Sequence, residues 1–119
     1  MKKISKVIVE NQKVFVGLED SKRTWKMNIR SGGRRVARVS MPTEYEQLIS
    51  YFRGHYPGCN IKVMYEAGFS GFWLHDRLAG DEIDCVVTPP HTVLEEKGKK
   101  VKTDKNDANR LAKLLENIE

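Results

Sequence analysis

At 119 residues, the chain is long enough for one domain with a hydrophobic core and too short for two. Hydrophobic residues make up 39% of it and charged residues 31%, a balance typical of a globular domain and not of a disordered chain. No apolar run approaches the ~20 residues that cross a bilayer, and polar residues follow Met1 too closely for a signal peptide. We therefore expect a cytoplasmic protein that does not enter membranes.

The net charge of +5 is distributed unevenly along the chain. Residues 1–40 carry 11 Lys or Arg against 3 Asp or Glu, whereas residues 41–96 carry 3 against 9. Residues 97–119 are basic again, with 7 against 4. Basic segments on both sides of an acidic middle indicate a face that binds a polyanion, although a solvated lysine surface would produce the same counts.

The first third of the chain predicts an antiparallel meander of three strands. Residues 14–18 form a nearly continuous apolar run, which is typical of a central strand buried on both faces. Residues 24–30 alternate between apolar and polar side chains, and residues 34–39 alternate again. The intervening Ser31-Gly32-Gly33 predicts a hairpin turn.

A helix with a recognisable start follows the meander. Thr43-Glu44-Tyr45-Glu46 matches a capping box, in which the Thr hydroxyl and the second Glu carboxylate bond to the first backbone amides. We expect this helix to end near Gly54. Its apolar face comprises Tyr45, Leu48, Ile49 and Phe52.

The remaining elements alternate between strand and helix. Residues 61–65 predict a strand, residues 71–79 a short helix, and residues 83–87 the last strand. A lysine-rich loop of about 15 residues leads to a final helix that begins near Asp104, and loops of this length are usually functional or mobile. The apolar face of that helix comprises Ala108, Leu111, Ala112 and Leu115.

The predicted order βββαβαβα specifies an α/β fold. Helices between strands require parallel crossovers, while the opening meander is antiparallel. A mixed five-stranded sheet in the order 3-2-1-4-5, with helices on its faces, satisfies both requirements and is the ribonuclease H-like arrangement. A flavodoxin-like sheet would need a helix between the first two strands, where the chain has only a short turn.

Four acidic residues are the candidate catalytic and metal-binding set. Glu19 and Glu66 end two strands predicted to be parallel neighbours, and ligand sites in α/β sheets collect at such ends. Asp104 and Asp107 are three residues apart, so they share the face of the last helix that turns toward the sheet. The alternative is ordinary turn chemistry for the two Glu and helix capping for the two Asp.

Together the four carboxylates would form an all-oxygen site suited to Mg²⁺ or Mn²⁺. Two such ions about 4 Å apart can assist attack on a phosphodiester and stabilise its leaving oxygen. Basic residues near the acids would contact phosphates without reading bases. The candidates for nucleic-acid binding are Lys22, Arg23, Arg34, Arg35, Lys99, Lys100, Lys102 and Lys105.

Four motifs, in this order and spacing, resemble the DEDD transposases of bacterial insertion sequences, which are related to Piv-type DNA invertases. They are Val16-Gly17-Leu18-Glu19-Asp20-Ser21-Lys22, Met64-Tyr65-Glu66-Ala67-Gly68 with Gly71-Phe72, Cys85-Val86-Val87-Thr88-Pro89-Pro90, and Lys102-Thr103-Asp104-Lys105-Asn106-Asp107-Ala108 with Arg110-Leu111-Ala112. The resemblance covers essentially the whole chain.

The resemblance implies an N-terminal domain similar to Holliday-junction resolvases, with metal held by one Asp, one Glu and two further Asp. Glu66, Asp104 and Asp107 match that pattern directly. Glu19 stands where the family usually has Asp, which keeps the charge but lengthens the side chain by a methylene. Asp20, next to it, should point to the opposite face of the sheet.

The family further implies a C-terminal domain with a nucleophilic serine, and recombinases that act on DNA as oligomers with a structured guide RNA. No serine of this chain qualifies as that nucleophile. We therefore expect residues 1–119 to be a single catalytic domain and an N-terminal fragment of a longer transposase, itself a homo-oligomer.

Two other functions are compatible with the same pattern. A non-catalytic nucleic-acid-binding module could keep the ribonuclease H-like fold, and Glu19 in place of Asp favours it. A sugar-kinase-like half domain also opens with an acid after its first strand. It would need a Gly-rich phosphate turn, for which Ser31-Gly32-Gly33 is too short.

Overall fold

The computed structural model describes residues 12–89 and 104–118, with side chains in the second range from Ala108 onward. The elements, in chain order, are β1 (Lys13–Asp20), β2 (Thr24–Ser31), β3 (Arg34–Pro42), α1 (Tyr45–His55), β4 (Asn60–Glu66), α2 (Trp73–Gly80), β5 (Asp84–Thr88) and α3 (Asp104–Ile118). The predicted order βββαβαβα is confirmed.

The five strands form one mixed sheet in the order β3-β2-β1-β4-β5. β1 pairs antiparallel with β2 and parallel with β4, so it is the central strand on which the meander and the crossovers meet. At the β2–β3 turn, Gly32 and Gly33 have φ of 65° and 82°, a left-handed conformation that glycine adopts without strain. The predicted α/β, ribonuclease H-like arrangement is confirmed.

The predicted capping box at the start of α1 is wrong. The helix begins at Tyr45 with Glu44 as its N-cap residue, and no side chain bonds to the first amides. The Thr43 hydroxyl instead donates to the carbonyl oxygen of Lys22, at 3.4 Å, in the turn after β1. The Thr43 amide donates to Arg23 O at 3.3 Å. The Thr43 hydroxyl, which the local pattern predicts to cap α1, is therefore used in a tertiary hydrogen bond.

Two separate layers of side chains bury the two faces of the sheet. The larger layer packs α1 and α2 against one face, and its strand residues include Val14, Val16 and Leu18 of β1. The smaller layer packs α3 against the other face through Phe15, Met64, Leu111 and Leu115. We call the second surface the α3 face. No helix in residues 12–89 or 104–118 has the length and apolar character to span a membrane.

Candidate functional site

Glu19 and Glu66 lie side by side at one edge of the sheet. β1 and β4 are parallel, and Leu18 pairs with Tyr65 in their register. Glu19 and Glu66 are the next residue along each strand. Because neighbouring strands are about 4.8 Å apart, the backbones of Glu19 and Glu66 are separated by about that distance at the carboxyl ends of β1 and β4.

Both acids also lie on the same face of the sheet. Side chains alternate along a strand, so Glu19 shares its face with Phe15, and Glu66 shares its face with Met64. Phe15 and Met64 pack against Leu111 of α3. The acids are therefore on the α3 face, and together with Leu111 they line a cleft of about 190 Å³ there.

Gly17 lets α3 lie directly on β1. A Cβ built on Gly17 would overlap the carbonyl oxygen of Ala108 and the amide nitrogen of Ala112, both backbone atoms of α3. Glycine is the residue that permits so close an approach of two backbones. The resemblance placed Gly17 inside a motif but assigned no role to it. The sequence feature that could have indicated this close approach is an isolated glycine within an otherwise apolar strand.

The direction of α3 brings its first turn toward the two glutamates. Ala108 lies against Gly17, in the second half of β1. At the other end of the helix, Glu116 binds Arg30 of β2 with an N–O distance of 2.8 Å. Arg30 pairs across from Phe15, nearer the start of β1. The turn before Ala108, residues 104–107, thus extends toward the carboxyl ends of β1 and β4.

The structure brings Glu19 and Glu66 together, while Asp104, Lys105 and Asp107 are described by their backbone alone. Among the side chains that are described, no group of three or more His, Cys, Asp or Glu is close enough to hold a metal ion. The described part of the site is therefore a pair of carboxylates on neighbouring strands.

Asp20 also borders the cleft, but its carboxylate bonds to residues packed on the opposite face of the sheet. Its Oδ1 accepts hydrogen bonds from Trp25 Nε1, at 3.0 Å, and from Ser70 Oγ, at 2.9 Å. Its Oδ2 accepts one from the Ser70 amide at 2.6 Å. The buried Ser70 belongs to the loop after Glu66, so Asp20 ties that loop to β1. No sequence pattern could have shown this, because 50 residues separate the partners.

Tyr65 holds the same loop at Gly71, the residue after Ser70. Its hydroxyl donates to the Gly71 carbonyl oxygen at 2.6 Å and accepts from the His75 amide at 3.1 Å. Burial raises the pKa of Tyr65 to about 12, so the hydroxyl remains a donor at every physiological pH. Ser70 and Gly71 of the loop that follows Glu66 are therefore held to the ends of β1 and β4.

We expect Asp20→Asn to destabilise the domain by about 2–4 kcal/mol, because hydrogen bonds to a charged acceptor are worth about 1.5–3 kcal/mol each and do not add fully. Urea unfolding followed by Trp fluorescence measures this. Asp76→Asn, with a side chain 77% exposed, is the matched control and should have little effect. A stable Asp20→Asn protein that no longer responds to Mg²⁺ would contradict a purely structural role and make Asp20 a metal ligand.

The predicted phosphate-binding residues do not form one cluster. Lys22 and Arg23 are exposed in the β1–β2 turn, next to the end of β1 that carries Glu19. Arg34 and Arg35 are also exposed but lie at the start of β3, just after the β2–β3 turn and roughly 13–17 Å from Glu19 along the strands. The other predicted contacts lie outside the described side chains, namely Lys99, Lys100, Lys102 and Lys105.

Comparison with known proteins connects this chain to transposition. No protein-family model matches it. Over 107 residues it is 28% identical to the transposase for insertion sequence element IS1533 of Leptospira borgpetersenii. The match covers 87% of this chain but 31% of that transposase, so the chain spans about a third of its relative's length. This similarity supports a distant relationship to transposases.

Proposed function

We propose that this chain is the metal-dependent catalytic domain of a DEDD transposase, related to Piv-type invertases, that acts on DNA phosphodiester bonds during insertion-sequence transposition. The observation that carries the proposal is the placement of Glu19 and Glu66. They end adjacent parallel strands on the α3 face, toward which the first turn of α3 extends.

The proposed ligands are Glu19, Glu66, Asp104 and Asp107. Positions 104 and 107 lie on the helical stripe that continues through Leu111, which lines the cleft with the two glutamates. Carboxylates alone form a hard, all-oxygen donor set, which fits Mg²⁺ or Mn²⁺. One or two such ions held by these residues would activate a water or hydroxyl for attack on a phosphodiester.

The protein's own contribution is to hold this set in place and to receive the DNA. The Asp20–Ser70 contacts fasten the loop after Glu66, and the contact at Gly17 sets the height of α3 above the sheet. Lys22 and Arg23, which are exposed beside the end of β1, would bind phosphates that flank the one being cut.

The remaining partners belong to the proposal at the level of the whole transposase. In the proposed full-length protein, a second domain would supply a nucleophilic serine. The protein would assemble as a homo-oligomer in the cytoplasm, with DNA and a structured guide RNA. We accordingly expect residues 1–119 alone to nick DNA at most and to perform no strand exchange.

The proposal predicts nicking of supercoiled plasmid that requires Mn²⁺ or Mg²⁺. Glu66→Gln should reduce the nicking rate at least 100-fold, in the range typical for losing a group that stabilises charge at a reacting centre. Asp76→Asn, an equal change of charge on α2 away from the cleft, should keep the parental rate. Gel electrophoresis of relaxed and supercoiled forms gives both rates. Nicking by Glu66→Gln at the parental rate would refute this assignment.

A non-catalytic nucleic-acid-binding module is the second candidate. Glu19 favours it, since its extra methylene displaces the carboxylate from where an Asp would place it. The two functions differ in their need for a divalent ion. A binding module would hold DNA equally well with and without Mn²⁺ and would produce no nicks at any concentration of the ion.

A further inference from the structure

The outer half of the α3 face carries basic side chains that the proposed metal site does not use. Lys26 of β2 pairs directly across from Glu19, so its side chain shares that face. Asn28 pairs with Gly17 of β1 on one side and with Arg38 of β3 on the other, which puts Arg38 on the same face.

Arg35 belongs to the same surface. It pairs across from Arg30, whose side chain reaches α3. The Arg35 guanidinium also donates to Asn28 Oδ1 at 3.4 Å. We call Lys26, Arg35 and Arg38 the basic row. All three residues are exposed.

Lys26 lies across from the acidic Glu19, whereas Arg35 and Arg38 have no acidic neighbour on the α3 face of β2 and β3. The other residues of these two strands on that face are Asn28, Arg30 and Ser40. Arg30 is neutralised by Glu116, but within residues 12–89 and 108–118 no ion pair involves the basic row. Lys113, one turn before Glu116 on the same side of α3, adds a further exposed positive charge.

The basic row leads along the sheet to the acidic pair. Lys26 and Arg38 are diagonal neighbours, which places them about 7–8 Å apart. Arg35 lies three residues before Arg38, roughly 10 Å along β3. The row therefore runs from the β2–β3 turn to Lys26, beside Glu19, with cations spaced closely enough to follow successive phosphates.

The composition of this surface favours double-stranded DNA over a single strand. Sites for single-stranded nucleic acid stack bases on aromatic side chains. The α3-face positions of β2 and β3 carry no aromatic residue within the described strands. These positions offer positive charge but neither a stacking surface for bases nor a helix that could enter a groove. Such a surface fits the phosphates on the outside of a duplex.

We propose that the basic row and Lys113 form a shallow groove that binds the sugar–phosphate backbone of duplex DNA and directs it to Glu19 and Glu66. This inference rests on the proposed function, since it names the surface through which that site receives its substrate. The groove makes phosphate contacts only, so its affinity depends on salt and not on base sequence.

The test is fluorescence anisotropy with a short labelled duplex, without divalent ions, over about 50–200 mM NaCl. Lys26→Gln and Arg38→Gln should each weaken binding by roughly three- to tenfold at about 0.1 M salt. Each should also lower the slope of log K against log [salt] by about 0.9. Arg53→Gln is the matched control, because it removes one exposed charge from α1 on the opposite face. It should bind like the parent.

The outcomes separate this inference from the proposed function. If the parent binds duplex DNA and both groove variants bind equally well, the groove is wrong while the metal-dependent nicking is unaffected. Equal loss in Arg53→Gln would show a general charge effect and also overturn the groove. A single strand bound as tightly as the duplex would contradict the choice of partner. A parent that fails to bind duplex DNA at all overturns the groove, while the nicking assay with Mn²⁺ tests the DNA substrate separately.

Discussion

Replacing Gly17 by alanine is expected to cost about 3 kcal/mol or more and to lower the melting temperature by roughly 10 °C or more. The added methyl would overlap two backbone atoms of α3, Ala108 O and Ala112 N. A flexible side chain could rotate away, but helix backbone can respond only by moving the whole helix. The shift would uncover Phe15 and Met64, which α3 buries.

Gly54→Ala provides a matched control for this prediction. Gly54 also lies in a regular element, near the end of α1, and a Cβ there would meet no atom within 4 Å. Because glycine weakens a helix, the substitution should stabilise by up to about 0.5–1 kcal/mol. Thermal unfolding followed by circular dichroism compares the two. Equal and small effects of the two substitutions would mean that α3 does not rest on β1.

Gly17→Ala should also weaken the response to metal, because it moves the first turn of α3 away from Glu19 and Glu66.

Our second large prediction concerns the response of the domain to metal. If four carboxylates converge, the metal-free domain contains strong repulsion, since two unit charges about 5 Å apart repel by about 3 kcal/mol at an effective dielectric constant of 20. The favourable effect of the helix dipole on an N-terminal Asp is smaller, about 0.3–1 kcal/mol.

We therefore expect Asp107→Asn to raise the melting temperature without metal. We also expect Mg²⁺ or Mn²⁺ to stabilise the parent. For a site with a dissociation constant of ~1 mM, ~10 mM ion contributes about 1.4 kcal/mol by mass action. In a domain of this size that is roughly 4–7 °C. Asp107→Asn should lose most of this shift, as measured by differential scanning fluorimetry.

Asp76→Asn is the control for the metal response. Asp76 is an exposed residue of α2 whose described ion pair is with His75, at 3.2 Å, so its replacement should leave the metal-induced shift unchanged. The competing possibility is that the two Asp of α3 only cap the helix. Asp104→Asn and Asp107→Asn would then both destabilise the metal-free domain, and the shift with Mg²⁺ would persist. That result would remove the metal site from our proposal.

Local sequence patterns were sufficient to predict the fold. The continuous apolar run of β1, the alternation in β2 and β3 and the helical spacing between the later strands each depend on neighbouring residues. Connection length then decides which strands can be antiparallel and which must be parallel. The same reasoning put Glu19 and Glu66 at one edge, because parallel strands end together. The pairing of Leu18 with Tyr65 in the structure agrees with this placement of the two glutamates.

What the sequence by itself determined is thus the order of elements, the sheet and the meeting of the two glutamates, since all of these follow from periodicity and chain connectivity. The tertiary structure decided which side chains serve partners far along the chain. Asp20 holds Ser70, Thr43 bonds to the turn after β1 instead of capping α1, and α3 rests on Gly17. It also separated Arg34 from the acids and put Lys26 beside them. Such contacts depend on distances between elements, which no local pattern encodes.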